Sequence, residues 1–414
     1  MKVVVHDYAG HPFSIELSRA LAQRGYEVIH AYFAGDLGPK GDLSRRLTDS
    51  DRLSFVGIAL DRPYDKASYV RRHFNDVAYG KAMFDLISRE KPDLVLSGNT
   101  PTEAQSAIMA ACAACSCAFV FWIQDFYSIA VSKLLRKKQW LLGATIGSYY
   151  RILERRQLRR SDSIVVITEQ FRPLATLWGG LPNKVHTIEN WGDLNNIAPA
   201  SKDNDWSRRH DLTDSFNFIY AGTIGLKHNP QLLVELARGM RGHAKVIVVG
   251  QGIGISHLEA AKSDEKLDNL VLLPLQHFSQ LPLVLASADV GVAVIEPDAG
   301  MFSVPSKILS YLCAERAVLI AAPFQNLAAQ IVSRERAGIV VAPDDASALV
   351  SAAFQLKDNS KSRIEAAVSG RKYAFSKFGI DNIADRFEIV FDNAIKSRLK
   401  ARRDKEQAKV AGGM

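Results

Sequence analysis

The chain of 414 residues has only four cysteines, and three of them, Cys112, Cys115 and Cys117, fall within six positions. Such uneven spacing builds no disulfide framework. A metal is the obvious alternative for the trio, but no fourth ligand stands nearby, and small cysteines are common in cores. Neither an aspartate cluster nor paired histidines at cation-site spacing occur elsewhere, so no metal or other cofactor is expected. Long apolar runs are scarce as well: residues 104–123 stay free of charge over a length that would cross a bilayer. Their first half is alanine-rich and helix-favouring, whereas 118–123 (AFVFWI) is strand-like, which fits a helix feeding a buried parallel strand. A signal peptide is not expected either. In MKVVVHDYAG one lysine precedes a short apolar run that stops at His6 and Asp7, so this segment reads as a first strand and the chain is expected in the cytoplasm. No nucleic-acid recognition motif accompanies the basic residues, and no nucleic-acid partner is expected.

What is present is a soluble globular composition, 47% apolar and 23% charged, in a chain too long for one compact core. Two domains follow from that length. The pattern alternates: strand 2–5, helix 14–24, strand 27–32, a variable polar stretch, a helix near 77–89, strand 93–97, then strands near 118–123, 164–167 and 185–188. Residues 195–215 are polar without an apolar period and read as a connection. A second set follows, with strand 218–221, helix 231–238, strands 245–249 and 270–273, helix 279–286 and strand 290–294. Repeated βα alternation implies two parallel sheets with helices on both faces, and ligands then bind at the carboxyl ends of the strands.

Three loops leave those ends in the first half: 7–12 (DYAGHP), 97–101 (SGNTP) and 124–127 (QDFY). His11 and Asp125 there suit either a turn or capping role or a substrate contact. In the second half, the loop 250–254 (GQGIG) hints at a dinucleotide fingerprint. The following strand ends in Pro274 and Leu275 instead of an acidic ribose ligand, so Gly250 and its neighbours are read as a tight turn. Gly222 and Gly225, followed by Lys227, let backbone approach a bulky anion and offer a charge to neutralise it.

The stretch 296–320 (EPDAGMFSVPSKILSYLCAERAVLI) reads as loop, helix and strand. Pro305 is preorganised for helix entry, and Ser303 or Ser306 can cap the free amides. With Lys307 these groups form an anion site, the alternative being an ordinary helix start with a surface lysine. Lys227 and Lys307 both follow strands of one sheet, so a diphosphate held between them is the economical reading.

DYAGHPF, WIQDFY, RRSDSIVVITEQF, the stretch Asn190-Trp191-Gly192-Asp193-Leu194, YAGTIGLKHNP and GMFSVPSKILSYL together resemble family-four glycosyltransferases of GT-B fold, especially bacterial capsule and exopolysaccharide enzymes. The resemblance covers nearly the whole chain. It implies an α/β protein with two Rossmann-like parallel-sheet domains facing across a cleft: an acceptor-side domain 1–196, a linker 197–216, a nucleotide-sugar domain 217–379, a helix 380–397 crossing back and a basic tail 398–414. It further implies retaining transfer of a sugar from a nucleotide diphosphate, UDP in preference to GDP, to a saccharide or lipid-linked acceptor. In this scheme Gly222, Thr223, Gly225, Lys227, Gly250, Ser303, Val304, Pro305, Ser306 and Lys307 hold the donor. Glu296 resembles the acidic residue near the donor sugar, Gly10, His11, Asn99 and Asp125 face the acceptor, and His11 and Asp125 are candidate bases.

Two departures bear on this assignment. Thr223 stands where many members carry an arginine, and Ser310 where many carry a ribose-binding glutamate, although a Pro-Ser-Lys subgroup exists. Glu315 and Ala317 replace a usual glycine and proline. A nucleotide-sugar epimerase of the same architecture, active on donor alone, is the second reading; a binding protein without turnover is the third. Finally, residues 132–160 hold nine basic residues against Glu154 alone, with Leu134, Leu135, Trp140, Tyr149 and Tyr150 interleaved. A solvated helix face or a reversible anchor on the inner face of the cytoplasmic membrane both fit that pattern.

Overall fold

A computed structural model describes residues 1–35, 38, 40–60, 69–138, 140–225, 228–297 and 306–411. It forms two compact units, one of Met1–Glu189 with Ile380–Met414 and one of Asn190–Gly379.

The first unit runs β1 (Lys2–Asp7), α1 (Pro12–Gln23), β2 (Glu27–Phe33), β3 (Leu53–Ile58), α2 (Tyr69–Glu90), β4 (Leu94–Gly98), α3 (Thr102–Ala114) and β5 (Ala118–Ile123). It continues through α4 (Tyr127–Lys138), α5 (Trp140–Arg160), β6 (Ser163–Val166), α6 (Arg172–Leu177) and β7 (Val185–Thr187). The strands form one parallel sheet in the order β3-β2-β1-β4-β5-β6-β7. Val3, Val4 and Val5 are all fully buried, because helices cover both faces of the sheet and every side of β1 must be apolar. The apolar segment 104–123 divides into α3 and β5, and among the described residues no helix is long and apolar enough to cross a membrane. β3 lies in the stretch read as variable and polar. As an edge strand pairing only with β2, it needs no continuous apolar run, and only its end residues Leu53 and Ile58 are buried.

The second unit comprises α7 (Asp205–Arg209), β8 (Asn217–Thr223), α8 (Pro230–Gly239), β9 (Lys245–Gln251), α9 (Ile255–Asp264), β10 (Leu270–Pro274), α10 (Leu281–Ala286) and β11 (Val290–Val294). There follow α11 (Lys307–Cys313), β12 (Ala317–Ala321), α12 (Leu327–Arg334), β13 (Gly338–Val341), α13 (Ala346–Asp358) and α14 (Ser360–Lys377). Its sheet is again parallel, in the order β10-β9-β8-β11-β12-β13. α8 begins cleanly because Asn229 caps the Gln231 amide and Pro230 occupies the first turn. Residues 195–215, read as a connection, are partly structured: α7 has an Asn204 capping box, and Trp206 and Leu212 are buried in this unit's core.

The last helix, α15 (Ile380–Ala411), packs on the first unit. Phe387 meets Trp122 edge to face at 5.1 Å, and Val390, Phe391 and Ala394 are buried beside it. Arg24, at the C-cap of α1, bonds Asp385 at 2.6 Å and Glu388 at 2.8 Å, one helical turn apart. The basic tail expected from 398 onward is helical through Ala411, since lysine, arginine, glutamine and alanine all favour helix over that length.

Candidate active site

In both sheets winding reverses at one place, between β1 and β4 in the first unit and between β8 and β11 in the second. Loops leaving adjacent strands on either side of such a reversal diverge and open a crevice, so these two edges are where ligands are expected.

At the first reversal Asp7, the last residue of β1, is fully buried, and its carboxylate gathers donors from two loops. It accepts from the backbone amides of Ala9 at 3.1 Å and His11 at 3.2 Å and from Asn99 Nδ2 at 3.2 Å. His11 Nδ1 lies 3.2 Å from both carboxylate oxygens. Burial by itself would raise the pKa of Asp7, but the charge and hydrogen bond of His11, together with Ser14 and His30, outweigh it and hold the carboxyl far below its usual range. Asn99 reaches this position with φ +51°, a left-handed backbone that asparagine tolerates better than most residues. Gly10 also has positive φ, and its carbonyl accepts from the Gly41 amide. Behind this group His6 bonds Ser97 at 2.9 Å and Tyr79 at 2.8 Å, and desolvation pushes its pKa down to about 3, so the supporting ring stays neutral. The structure thus brings Gly10, His11 and Asn99 to one edge around Asp7. Asp125 sits after β5, where its charge contributes to raising the pKa of Glu154.

At the second reversal Gly222 has φ +130°, and an added Cβ would lie 3.7 Å from Lys307 Cε. The Lys307 ammonium stands 4.6 Å from the centroid of the Tyr220 ring and 3.5 Å from His228 Nε2. Lys307 is half-buried, and desolvation lowers the pKa of its ammonium to about 8. The 250–254 loop supports the same place: a Cβ on Gly250 would fall 2.0 Å from Gly222 O, and one on Gly252 2.5 Å from Ile224 O. These glycines admit close packing of two strand ends, in keeping with a structural turn. Glu296 follows β11 by two residues and is half-buried.

Two expectations change here. α11 starts at Lys307, and Ser306 makes no side-chain capping bond because its own backbone is already helical, with φ −61° and ψ −24°. Seven residues long, α11 is also too short to contribute a substantial dipole. Lys227, Ser303, Val304 and Pro305 lie outside the described residues.

Two family models match the sequence, a glycosyl transferase 4-like domain over 12–191 and glycosyl transferases group 1 over 215–359. The chain belongs to the family-four glycosyltransferases. No curated protein matches its sequence, but solved structures do share the fold of this glycosyltransferase. Sucrose-phosphate synthase from Thermosynechococcus elongatus is 14% identical with a TM-score of 0.74, over 96% of this chain and 100% of that one. HepE from Anabaena, solved with UDP and glucose, is 12% identical with a TM-score of 0.70, over 95% and 99% of the two chains. A glycosyltransferase from Rickettsia africae is 13% identical with a TM-score of 0.65, over 95% and 98%. The fold of the transferase is therefore GT-B, built from two Rossmann-like units.

Sequence reasoning missed Asp7, Tyr220 and His228. Asp7 was read as the point where a strand stops, although a buried acid four residues before a histidine is a recognisable dyad spacing across a loop. His228 lay within the loop singled out for its glycines and lysine, and only the fold shows which way its ring faces. Tyr220 carried no signal beyond its place in a strand.

Proposed function

We propose that this glycosyltransferase moves a sugar from a nucleoside diphosphate donor, UDP in preference to GDP, to a saccharide or lipid-linked acceptor with retention of configuration. The observation that carries the reading is the half-buried Lys307 ammonium beside the open backbone of Gly222 at the β8/β11 reversal. HepE, whose structures hold UDP, UDP-glucose and glucose, supports UDP as the donor nucleotide. Departure of the nucleoside diphosphate is the difficult event, and a cation that strengthens its contact as negative charge develops lowers that barrier. Lys307 and Lys227 serve this role without a metal. Glu296 sits near the donor sugar, while Asp7-held His11 and Asp125 face the acceptor as candidate bases.

The pathway proposed is surface polysaccharide synthesis on the inner face of the cytoplasmic membrane. α5 favours this surface, because Tyr149 and Ile152 are exposed at 49% and 65%, alongside exposed Arg155, Arg156, Arg159 and Arg160. Glu154, the one acidic residue of that segment, is buried against Ser128 and does not offset the surface charge.

A thermal-shift screen against nucleotide sugars tests the donor class, since a ligand specific for the folded state raises the melting temperature. UDP-sugars are expected to stabilise the protein and to release UDP on turnover. Lys307→Ala is expected to lower that turnover about 10²–10³-fold, as loss of an oxyanion-type contact does. Absence of a shift with every nucleotide sugar, or wild-type turnover in Lys307→Ala, rejects the reading.

A further inference from the structure

The cysteine trio of the sequence divides once the chain is folded. α3 is capped by Cys115, and Ser116 follows in a left-handed conformation, φ +59°, turning the chain so that the Cys117 amide donates to the Cys112 carbonyl at 3.0 Å. Such a closure at a helix end brings the side chains of its first and last residues together. Here both are cysteines. They belong to one apolar cluster of the first unit at 1% and 3% exposure, and their thiols are close enough for each to set the other's proton affinity. Cys115 turns away, its thiol donating to the Ile87 carbonyl at 3.9 Å. Arg398 of α15 reaches the same helix end: its guanidinium donates to the Cys112 carbonyl at 3.0 Å, and its charge acts on both thiols. The bond from Cys112 holds the Cys117 thiol below its usual pKa against the effect of burial, with Arg398 assisting, whereas burial pushes Cys112 up. Cover over the pair is thin, since Ala113, Ala114 and Ser116 are exposed.

We propose that Cys112 and Cys117 form a modification site, a redox-active pair that hydrogen peroxide converts reversibly into a disulfide. The Cys117 thiolate attacks one peroxide oxygen, the O–O bond breaks, and its electron pair leaves on hydroxide, which takes up the proton Cys117 released and becomes water. Sulfur is left as a sulfenic acid. The Cys112 sulfur then attacks it, the S–O bond breaks, and the departing hydroxide takes the Cys112 proton as a second water. Two thiols have given up two electrons and two protons, and one peroxide has become two waters. A dithiol reductant reverses the bond by exchange. Arg398 is a positioning residue here, fixing the Cys112 backbone and favouring the Cys117 thiolate. The pair lies before the first residue of β5, at the end of the sheet opposite the edge that carries Asp7, His11 and Asn99, so it is a site apart from the one described above.

Treatment of the folded full-length protein with hydrogen peroxide, followed by alkylation and mass-spectrometric mapping, tests the proposal. Wild type is expected to lose two of its four free thiols, with a bond joining Cys112 to Cys117 that dithiothreitol reopens. Cys115→Ser should give the same bond. In Cys112→Ala the reaction should stall at the Cys117 sulfenic acid, which dimedone labels. Arg398→Met is expected to slow disulfide formation about 5- to 20-fold at pH 7 and to move its pH profile upward, and Arg398→Lys to restore most of the rate. A purely structural role for Arg398 would leave that pH profile in place. Retention of four free thiols in wild type, a bond made through Cys115, or no dimedone label on Cys117 in Cys112→Ala overturns the site. An unchanged pH profile in Arg398→Met overturns the part given to Arg398.

Discussion

Burial sets the charge of the groups that matter most at the residue scale. Lys307, with a pKa lowered to about 8, is a cation at neutral pH and loses its charge soon above it. Because the charged form attracts the diphosphate, UDP affinity is expected to hold steady up to about pH 7.5 and fall progressively between pH 8 and 9.5. Titrations across that range check this, and Lys307→Arg, which cannot deprotonate there, should flatten the decline. Two carboxyls are shifted the other way. Burial raises Asp76 to about 7 despite Arg72, and raises Glu154 to about 7 despite its bond from Ser128. Such groups keep their protons in the folded state to about pH 7 and lose them near pH 4 when unfolded. The folded state then binds more protons between those values, so these groups make stability fall as pH rises from about 4 to 7 and level off above. Asp76→Asn and Glu154→Gln should each remove part of that decline, on the order of 1–3 kcal/mol, in denaturation curves at pH 5 and pH 7.5.

Among the elements, α11 and its exit show a local cost. Glu315, just past the C-cap Ala314, has φ +55°, the left-handed conformation that glycine adopts without a Cβ penalty. This accounts physically for the glycine that relatives usually place there, although nothing in the structure explains Ala317 in place of their proline. Glu315→Gly is expected to stabilise the protein by about 0.5–1 kcal/mol, the relief of strain being partly offset by the greater freedom of glycine in the unfolded chain. A rise in melting temperature with UDP binding unchanged is the expected outcome; a fall would show that the Glu315 side chain contributes more than its backbone costs. The element boundaries follow the same logic. α8 was legible because Asn229, Pro230 and a regular apolar face all agree, whereas α9 buries only Leu258 through most of its length and gave no periodic signal.

For the whole molecule, the proposed membrane surface gives the clearest test. Basic residues near an anionic leaflet contribute about 1 kcal/mol each, and salt screens them. The transferase should pellet with anionic vesicles at low ionic strength and be released at high, and changing Arg155, Arg156 and Arg159 together to glutamate should abolish pelleting. These arginines are exposed on α5, so the change leaves the core alone. Equal sedimentation of variant and wild type would remove this face as the anchor.

The sequence by itself determined the parallel α/β character, both sheets and the family, because buried strands need unbroken apolar runs and their loops carry glycine, lysine and histidine in a distinctive order. It could not locate β3, since an edge strand is exposed on one side and its pattern merges with a polar loop. Nor could it show that Lys307 is half-buried, that Asp7 underlies His11, or that His228 turns Nε2 toward Lys307. Those facts depend on which strand ends become neighbours when the winding reverses. Burial and hydrogen-bond direction exist only once residues 73 and 79 positions apart, such as His6 with Tyr79 and His228 with Lys307, are brought together.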